Sequence, residues 1–186
     1  MQTQDSSLKK ELLKLIVARA VEIRETPFTL TSGNTSNLYV DLRRITQDPL
    51  GINLIGKLAL NAIYEFAPES EFVGGLETGS IPISTAVSLL SLDHKKLGAF
   101  WVRKKQKDHG LQNLIEGSLR KGASAVIVDD TITTGGSSLQ AIDAVRSFGA
   151  NVSCAIGVVD RGASNNFEKA GIPYHYFFTE KELQEK

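Results

Sequence analysis

The sequence predicts an α/β fold: a parallel sheet of about five strands flanked by helices on both faces, with a small N-terminal hood. Three observations predict it. Short β-branched runs alternate with amphipathic stretches through the last two-thirds of the chain, and connections of that kind give a parallel sheet. Gly149 and Gly171 stand just past two of the helical stretches, where left-handed C-terminal caps are expected. The first quarter breaks the alternation and is expected to lie over the strand ends. At 186 residues the chain fits one domain, with about 1–48 as N-terminal helix and hood and about 49–186 as the α/β core.

Composition narrows the function classes. With 41% hydrophobic and 23% charged residues the chain can bury a full core. Lys+Arg and Asp+Glu are equal at 21 each, which is not the field of a nucleic-acid binder. The single cysteine, Cys154, excludes an internal disulfide and a cysteine-built zinc site. Lys9, Lys10, Glu11, Lys14 and Arg19 interrupt the N-terminus, and no run reaches the ~18–20 apolar residues of a membrane span. A cytoplasmic enzyme with no membrane or nucleic-acid partner is the expectation.

The elements follow in order. Leu8, Leu12, Leu15, Ile16 and Ile23 share one face of a helix over 8–25, which Thr26-Pro27 ends. Residues 28–45 hold two short strands around the turn Ser32-Gly33-Asn34. After Asp48-Pro49, the spacing of Ile52, Ile55, Ala59, Ile63 and Phe66 predicts a second helix. Residues 72–76 read as a buried strand, 77–80 as a polar turn, and 82–92 as a helix with Pro82 just inside its start. A strand over 97–102 precedes the polar stretch 103–113. Strands over 125–129, 152–159 and 174–178 then alternate with helices over 137–148 and 163–170.

The segment 126–138 carries the chemistry. The strand Val126-Ile127-Val128 ends in Asp129-Asp130, and then come Thr131, Ile132, Thr133, Thr134, Gly135, Gly136, Ser137 and Ser138. The N–H groups of a helix's first turn lack internal partners and carry partial positive charge. Gly135 and Gly136 allow those groups to converge on an anion, and five hydroxyls add donors. The Gly-Lys-Ser/Thr of a nucleoside-triphosphate loop is missing. Two carboxylates would repel a bare phosphate, so their natural partners are sugar hydroxyls beside it, as in a ribose 5-phosphate. A plain Ser/Thr cap after a strand is the ordinary alternative. It does not need two acids, five hydroxyls and two glycines within ten residues.

This segment closely resembles the 5-phosphoribosyl-1-diphosphate (PRPP) motif of type I phosphoribosyltransferases. The resemblance implies that Asp129 and Asp130 hold the ribose hydroxyls and that Thr131–Ser138 hold the 5-phosphate. A second stretch, Arg103-Lys104-Lys105-Gln106-Lys107-Asp108-His109-Gly110, puts four basic side chains within five residues. Such a run is usually a solvated loop, but a departing pyrophosphate needs cations that a closing loop can supply. At Arg103, Lys104, Lys107, His109 and Gly110 it is similar to the catalytic loop of orotate phosphoribosyltransferases. That likeness implies Lys107 as the main catalytic group and a homodimer in which this loop reaches across the interface.

The likeness extends over nearly the whole chain. Phe28-Thr29-Leu30-Thr31-Ser32-Gly33, with Ser36, Tyr39, Asp41 and Arg43, resembles the family's N-terminal segment that closes over the pyrimidine. Residues 77–82 stand where its pyrophosphate loop lies. Arg161 after Val158-Val159-Asp160 and Thr133 fall at its orotate contacts, and a guanidinium suits a planar carboxylate. Where some members carry lysines, this chain has Thr31 in the N-terminal segment and Thr78, Gly79 and Ser80 in the pyrophosphate loop. More work is thereby left to Arg103, Lys104 and Lys107 and to Mg²⁺ carried in by PRPP near Asp129 and Asp130. The implied reaction is orotate plus PRPP giving orotidine 5′-monophosphate and pyrophosphate. The alternatives are a phosphoribosyltransferase for another base and a non-catalytic PRPP-sensing or RNA-binding regulator.

Overall fold

The computed structural model describes residues 2–29, 35–105 and 114–184. The chain opens with α1 (Gln2–Arg19), followed by a hairpin of β1 (Val21–Thr29) and β2 (Thr35–Val40) that forms its own antiparallel sheet. The helix expected over 8–25 therefore ends early. Val21, Ile23 and Glu25 alternate with Glu22 and Arg24 as in a strand, and Ile23, placed on the helix face by spacing, is 64% exposed. Pro27 lies inside β1, not after a helix, where the pairing register shifts between Ile23 and Phe28. The turn read at 32–34 lies outside the described residues.

Next come α2 (Arg43–Thr46) and α3 (Pro49–Phe66). The Asp48 side chain caps α3 by accepting from the N–H groups of Leu50 (3.0 Å) and Gly51 (2.9 Å), with Pro49 in the first turn. Those backbone bonds, with Arg19 beside them, hold the Asp48 carboxyl below its usual range. The core then runs β3 (Phe72–Gly74), α4 (Ser80–Leu90), β4 (Gly98–Val102), β5 (Ile115–Gly117), β6 (Ser124–Ile132), α5 (Gly136–Phe148), β7 (Asn151–Asp160), α6 (Ser164–Lys169), β8 (Tyr174–Thr179) and α7 (Glu180–Gln184). Gly149 and Gly171 take the left-handed cap conformation at φ 94° and 64°.

The main sheet has six strands in the order β5-β4-β3-β6-β7-β8. Five are parallel, and β5 is an antiparallel edge strand that the sequence reading did not find. Alternation along β6 sends Val126 and Val128 to the face covered by α1, α3 and α4, and Ala125 and Ile127 to the face covered by α5 and α6. Each fully buried valine or isoleucine stabilises the fold by about 1.5–3 kcal/mol. Strand order reverses between β3 and β6: β4 follows on one side, β7 and β8 on the other. The loops that leave these two neighbours diverge, and that gap is where parallel α/β sheets hold ligands.

Candidate active site

Asp129 and Asp130 sit near the C-terminal end of β6, which runs three residues further than the sequence suggested. Asp129 is only 9% exposed, and Ser138 Oγ donates to its Oδ2 at 3.2 Å. The Asp130 N–H donates to Asp129 Oδ1 (3.0 Å), and the Thr131 N–H to Asp130 Oδ1 (2.6 Å). Burial, and then the neighbouring Asp130 carboxylate, push the Asp129 carboxyl up to about 7. Burial also raises Asp130. Two adjacent acids in this setting resist joint ionisation until cationic or hydroxyl partners arrive.

That arrangement gives the free protein a pH signature. A carboxyl raised in the folded state stabilises fully below its unfolded value of about 4 and loses that contribution as pH rises through the folded value. Between about pH 4 and about pH 7 the ligand-free melting temperature of the parent is expected to fall relative to Asp129→Asn. Parallel melting curves for the two proteins across that window would contradict this assignment.

Two adjoining cavities meet at the acids. One, of about 200 Å³, is lined by Arg43, Leu76–Gly79, Lys104, Asp129–Thr131 and Ser137. The other, of about 190 Å³, is lined by Asp129 and Thr131–Ser138. Gly135 begins the turn at φ 78° and has no side chain with which to cap α5, and in the first turn the Gly136 N–H makes only a long bond to Thr134 Oγ1 at 3.4 Å, a setting suited to an anion. A Cβ on Gly135 would lie 3.1 Å from Phe167 Cε2. Gly135→Ala is therefore expected to raise the PRPP KM about tenfold and to cost about 1–2 kcal/mol of stability. An unaltered PRPP KM in initial-rate kinetics would argue against this loop as the phosphate seat. Ile132 lines the same cavity yet is 2% exposed, so its side chain belongs mainly to the core.

The loop after β3 closes the other side. The Glu77–Thr78 peptide is cis, and the Lys104 N–H donates to Glu77 Oε1 at 2.9 Å, which fixes the start of the basic stretch beside the cleft. A Cβ on Gly79 would stand 2.8 Å from Asp130 Oδ1 and 3.0 Å from Asp129 Oδ1, so a side chain there would force the two carboxylates to shift. Arg103 Nη1 donates to Glu116 Oε1 at 3.2 Å. Lys107, His109 and Gly110, and likewise Thr31, lie outside the described residues.

Arg43 and Glu77 line the cleft; the sequence reading places them in the N-terminal segment and in the pyrophosphate-loop stretch 77–82 without giving either side chain a role. Arg43 grips Asp41 with two bonds, Nε to Oδ1 (2.7 Å) and Nη2 to Oδ2 (3.0 Å), and its hydrogen bond holds Asp41 below the usual carboxylate range.

Arg161 follows β7, and its N–H donates to the Ile132 carbonyl at 2.8 Å, setting it beside Thr133 at the end of the neighbouring strand. Buried Asp160 shapes that turn by accepting from the N–H groups of Gly162 (3.2 Å) and Ala163 (3.0 Å) and from Tyr174 Oη (3.0 Å). Arg161 Nη2 donates to Glu180 Oε1 (2.6 Å), Leu38 O (3.2 Å) and Ser36 Oγ (3.3 Å). The hood hairpin thus touches the core at the residue singled out for carboxylate recognition. Among the described residues, no group of three or more His, Cys, Asp or Glu could hold a metal, and no helix is long and apolar enough to cross a membrane.

Comparison with known proteins agrees with this geometry. The phosphoribosyl transferase domain family matches residues 41–180. The orotate phosphoribosyltransferase of Aquifex aeolicus is 41% identical over 179 residues, spanning 94% of this chain and 97% of its own. A crystal structure of Mycobacterium tuberculosis orotate phosphoribosyltransferase in complex with Fe(III) dicitrate superposes with a TM-score of 0.80 at 36% identity, covering 95% of this chain and 98% of that one. A second structure of that enzyme, in complex with PRPP, gives 0.77 at 33% identity, covering 95% and 99%.

Proposed function

The chain belongs to the phosphoribosyl transferase family, among its orotate phosphoribosyltransferases, and from that membership we infer how the strand-end cleft divides the work. Its reaction joins orotate to PRPP, giving orotidine 5′-monophosphate and pyrophosphate, a step of pyrimidine synthesis. The N1–C1 bond forms as the bond from C1 to the pyrophosphate oxygen breaks. The observation that carries the site assignment is the meeting of the two cavities at Asp129, Thr131 and Ser137, at the reversal of strand order.

In this reading the 5-phosphate occupies the 131–138 cavity and the ribose hydroxyls face Asp129 and Asp130. The pyrophosphate lies toward Lys104 and Arg43, with Arg103, Lys107 and His109 supplied by the basic loop. Thr133 and Arg161 hold orotate, and the fixed guanidinium sets the ring so that N1 faces C1. The donor set suits Mg²⁺ only if substrate oxygens complete it, because two adjacent carboxylates are hard ligands but too few for a cage. When bound on PRPP, the ion would neutralise charge on the leaving pyrophosphate.

Residues 1–186 act as one unit, the hood about 1–48 closing on the core about 49–186, and Arg161 bonding to Ser36 and Leu38 supports that. The working form is a homodimer that shares the 103–110 loop. Its location is the cytoplasm, since PRPP is a multiply charged anion that a bilayer excludes. Orotate, uracil, hypoxanthine and adenine offered with PRPP and Mg²⁺ test the reading through pyrophosphate release. Release with orotate alone supports it. Release with another base would reassign Arg161, and PRPP binding with no release would favour a regulator.

A further inference from the structure

Arg161 is a buried cation that already has an anion. Its side chain is 5% exposed, and Glu180, 29% exposed at the start of α7, takes Nη2 at 2.6 Å. A guanidinium does not lose its proton, so when buried it needs a counter-charge, and among the described residues Glu180 supplies it. The pairing is incomplete: Nη2 meets three oxygens while buried Nε has no partner. Nε is sealed from the surface, so a planar carboxylate has to compete with Glu180 for the guanidinium rather than take a free donor.

We propose that Glu180 is a specificity-determining residue that holds Arg161 through their ion pair and contends with the carboxylate of the base for it. The inference rests on the reading of Arg161 as the partner of that carboxylate. Bringing a second carboxylate to one guanidinium sets two anions close together, and their repulsion opposes binding. A neutral pyrimidine meets an Arg161 charge that Glu180 has already balanced, so it gains nothing from the guanidinium and suffers no repulsion. The Glu180 charge thus lowers what an acidic base gains over a neutral one, in exchange for a free protein without an unpaired buried cation. Ser36 Oγ lies 3.4 Å from Glu180 Oε1 and 3.3 Å from Arg161 Nη2, so the pair is steadied from the hood as well.

Glu180→Gln separates charge from shape, because the amide oxygen can still accept from Nη2. The test is initial-rate kinetics of the whole enzyme with PRPP and Mg²⁺, reading the KM for orotate and the inhibition constant of orotate methyl ester, which keeps the ring and lacks the charge. In Glu180→Gln the orotate KM is expected to fall about tenfold while the ester constant holds, and the melting temperature of the free protein is expected to drop. Glu180→Asp, which keeps the charge, is expected to show no such gain. An orotate KM that stays or rises in Glu180→Gln would overturn the proposal, as would an equal change for the ester. Arg161→Gln in the same series separates the two levels. If its orotate KM matches the parent, the reading of Arg161 fails. If it rises while Glu180→Gln shows no gain, only the role of Glu180 fails.

Discussion

Arg161→Gln is expected to raise the orotate KM by roughly 10²–10³-fold while leaving the PRPP KM near that of the parent. Truncating one partner of a buried, hydrogen-bonded charge pair costs about 2–5 kcal/mol, and Arg161 is deeply buried where it would meet the ligand carboxylate. Glutamine keeps a donor near Ser36 and Leu38 but loses both the charge and the fork. The free protein also loses some stability, because Glu180 is left without its cation. Circular dichroism and a melting curve at the assay temperature separate that effect from binding. An orotate KM equal to the parent's, in a folded variant, would remove Arg161 from the site.

Lys107→Ala is expected to cut turnover about 10²–10³-fold with the fold intact, since removing a donor aimed at developing charge costs about that much. Two features make the loop cation decisive in this chain. Position 79 is glycine, and a side chain there would press on both carboxylates, so the loop after β3 supplies no cation at that point. Arg103 Nη1 is bonded to Glu116, and among the described residues Lys104 and Arg43 are the cations that line the cleft. If Lys107 meets pyrophosphate only as it departs, kcat falls and the KM for both substrates changes little. Unchanged turnover would shift the catalytic role to Lys104. Mixing Lys107→Ala with Arg161→Gln subunits also tests the shared loop, because a dimer that exchanges loops regains one intact site.

The parts of the fold legible in the sequence are those written locally. The 126–138 segment shows its strand, its acids and its uncapped helix start within a few residues, and the glycine caps at 149 and 171 need only their own backbone. The β1 strand was misread because 21–25 also continues the apolar spacing of α1, and its partner β2 lies beyond a turn. The edge strand β5 is three residues long and owes its existence to pairing with β4. In the site, Asp129, Asp130 and Arg161 were visible as types at strand ends. Arg43 and Glu77 were placed only through the resemblance of their segments, and their side chains took up positions in the cleft once α2 and the loop after β3 were set over the switch point. Glu180 is a tertiary partner of Arg161 at a separation of 19 residues, which no local pattern announces.

A crystal structure with orotidine 5′-monophosphate tests the site most directly, since this one inert ligand carries the phosphate, the ribose diol and the carboxylate together. The account predicts the phosphate on the N–H groups at the start of α5, the ribose hydroxyls at Asp129 and Asp130, and the carboxylate on Arg161. A phosphate bound outside the 131–138 loop, or a carboxylate turned away from Arg161, would contradict it.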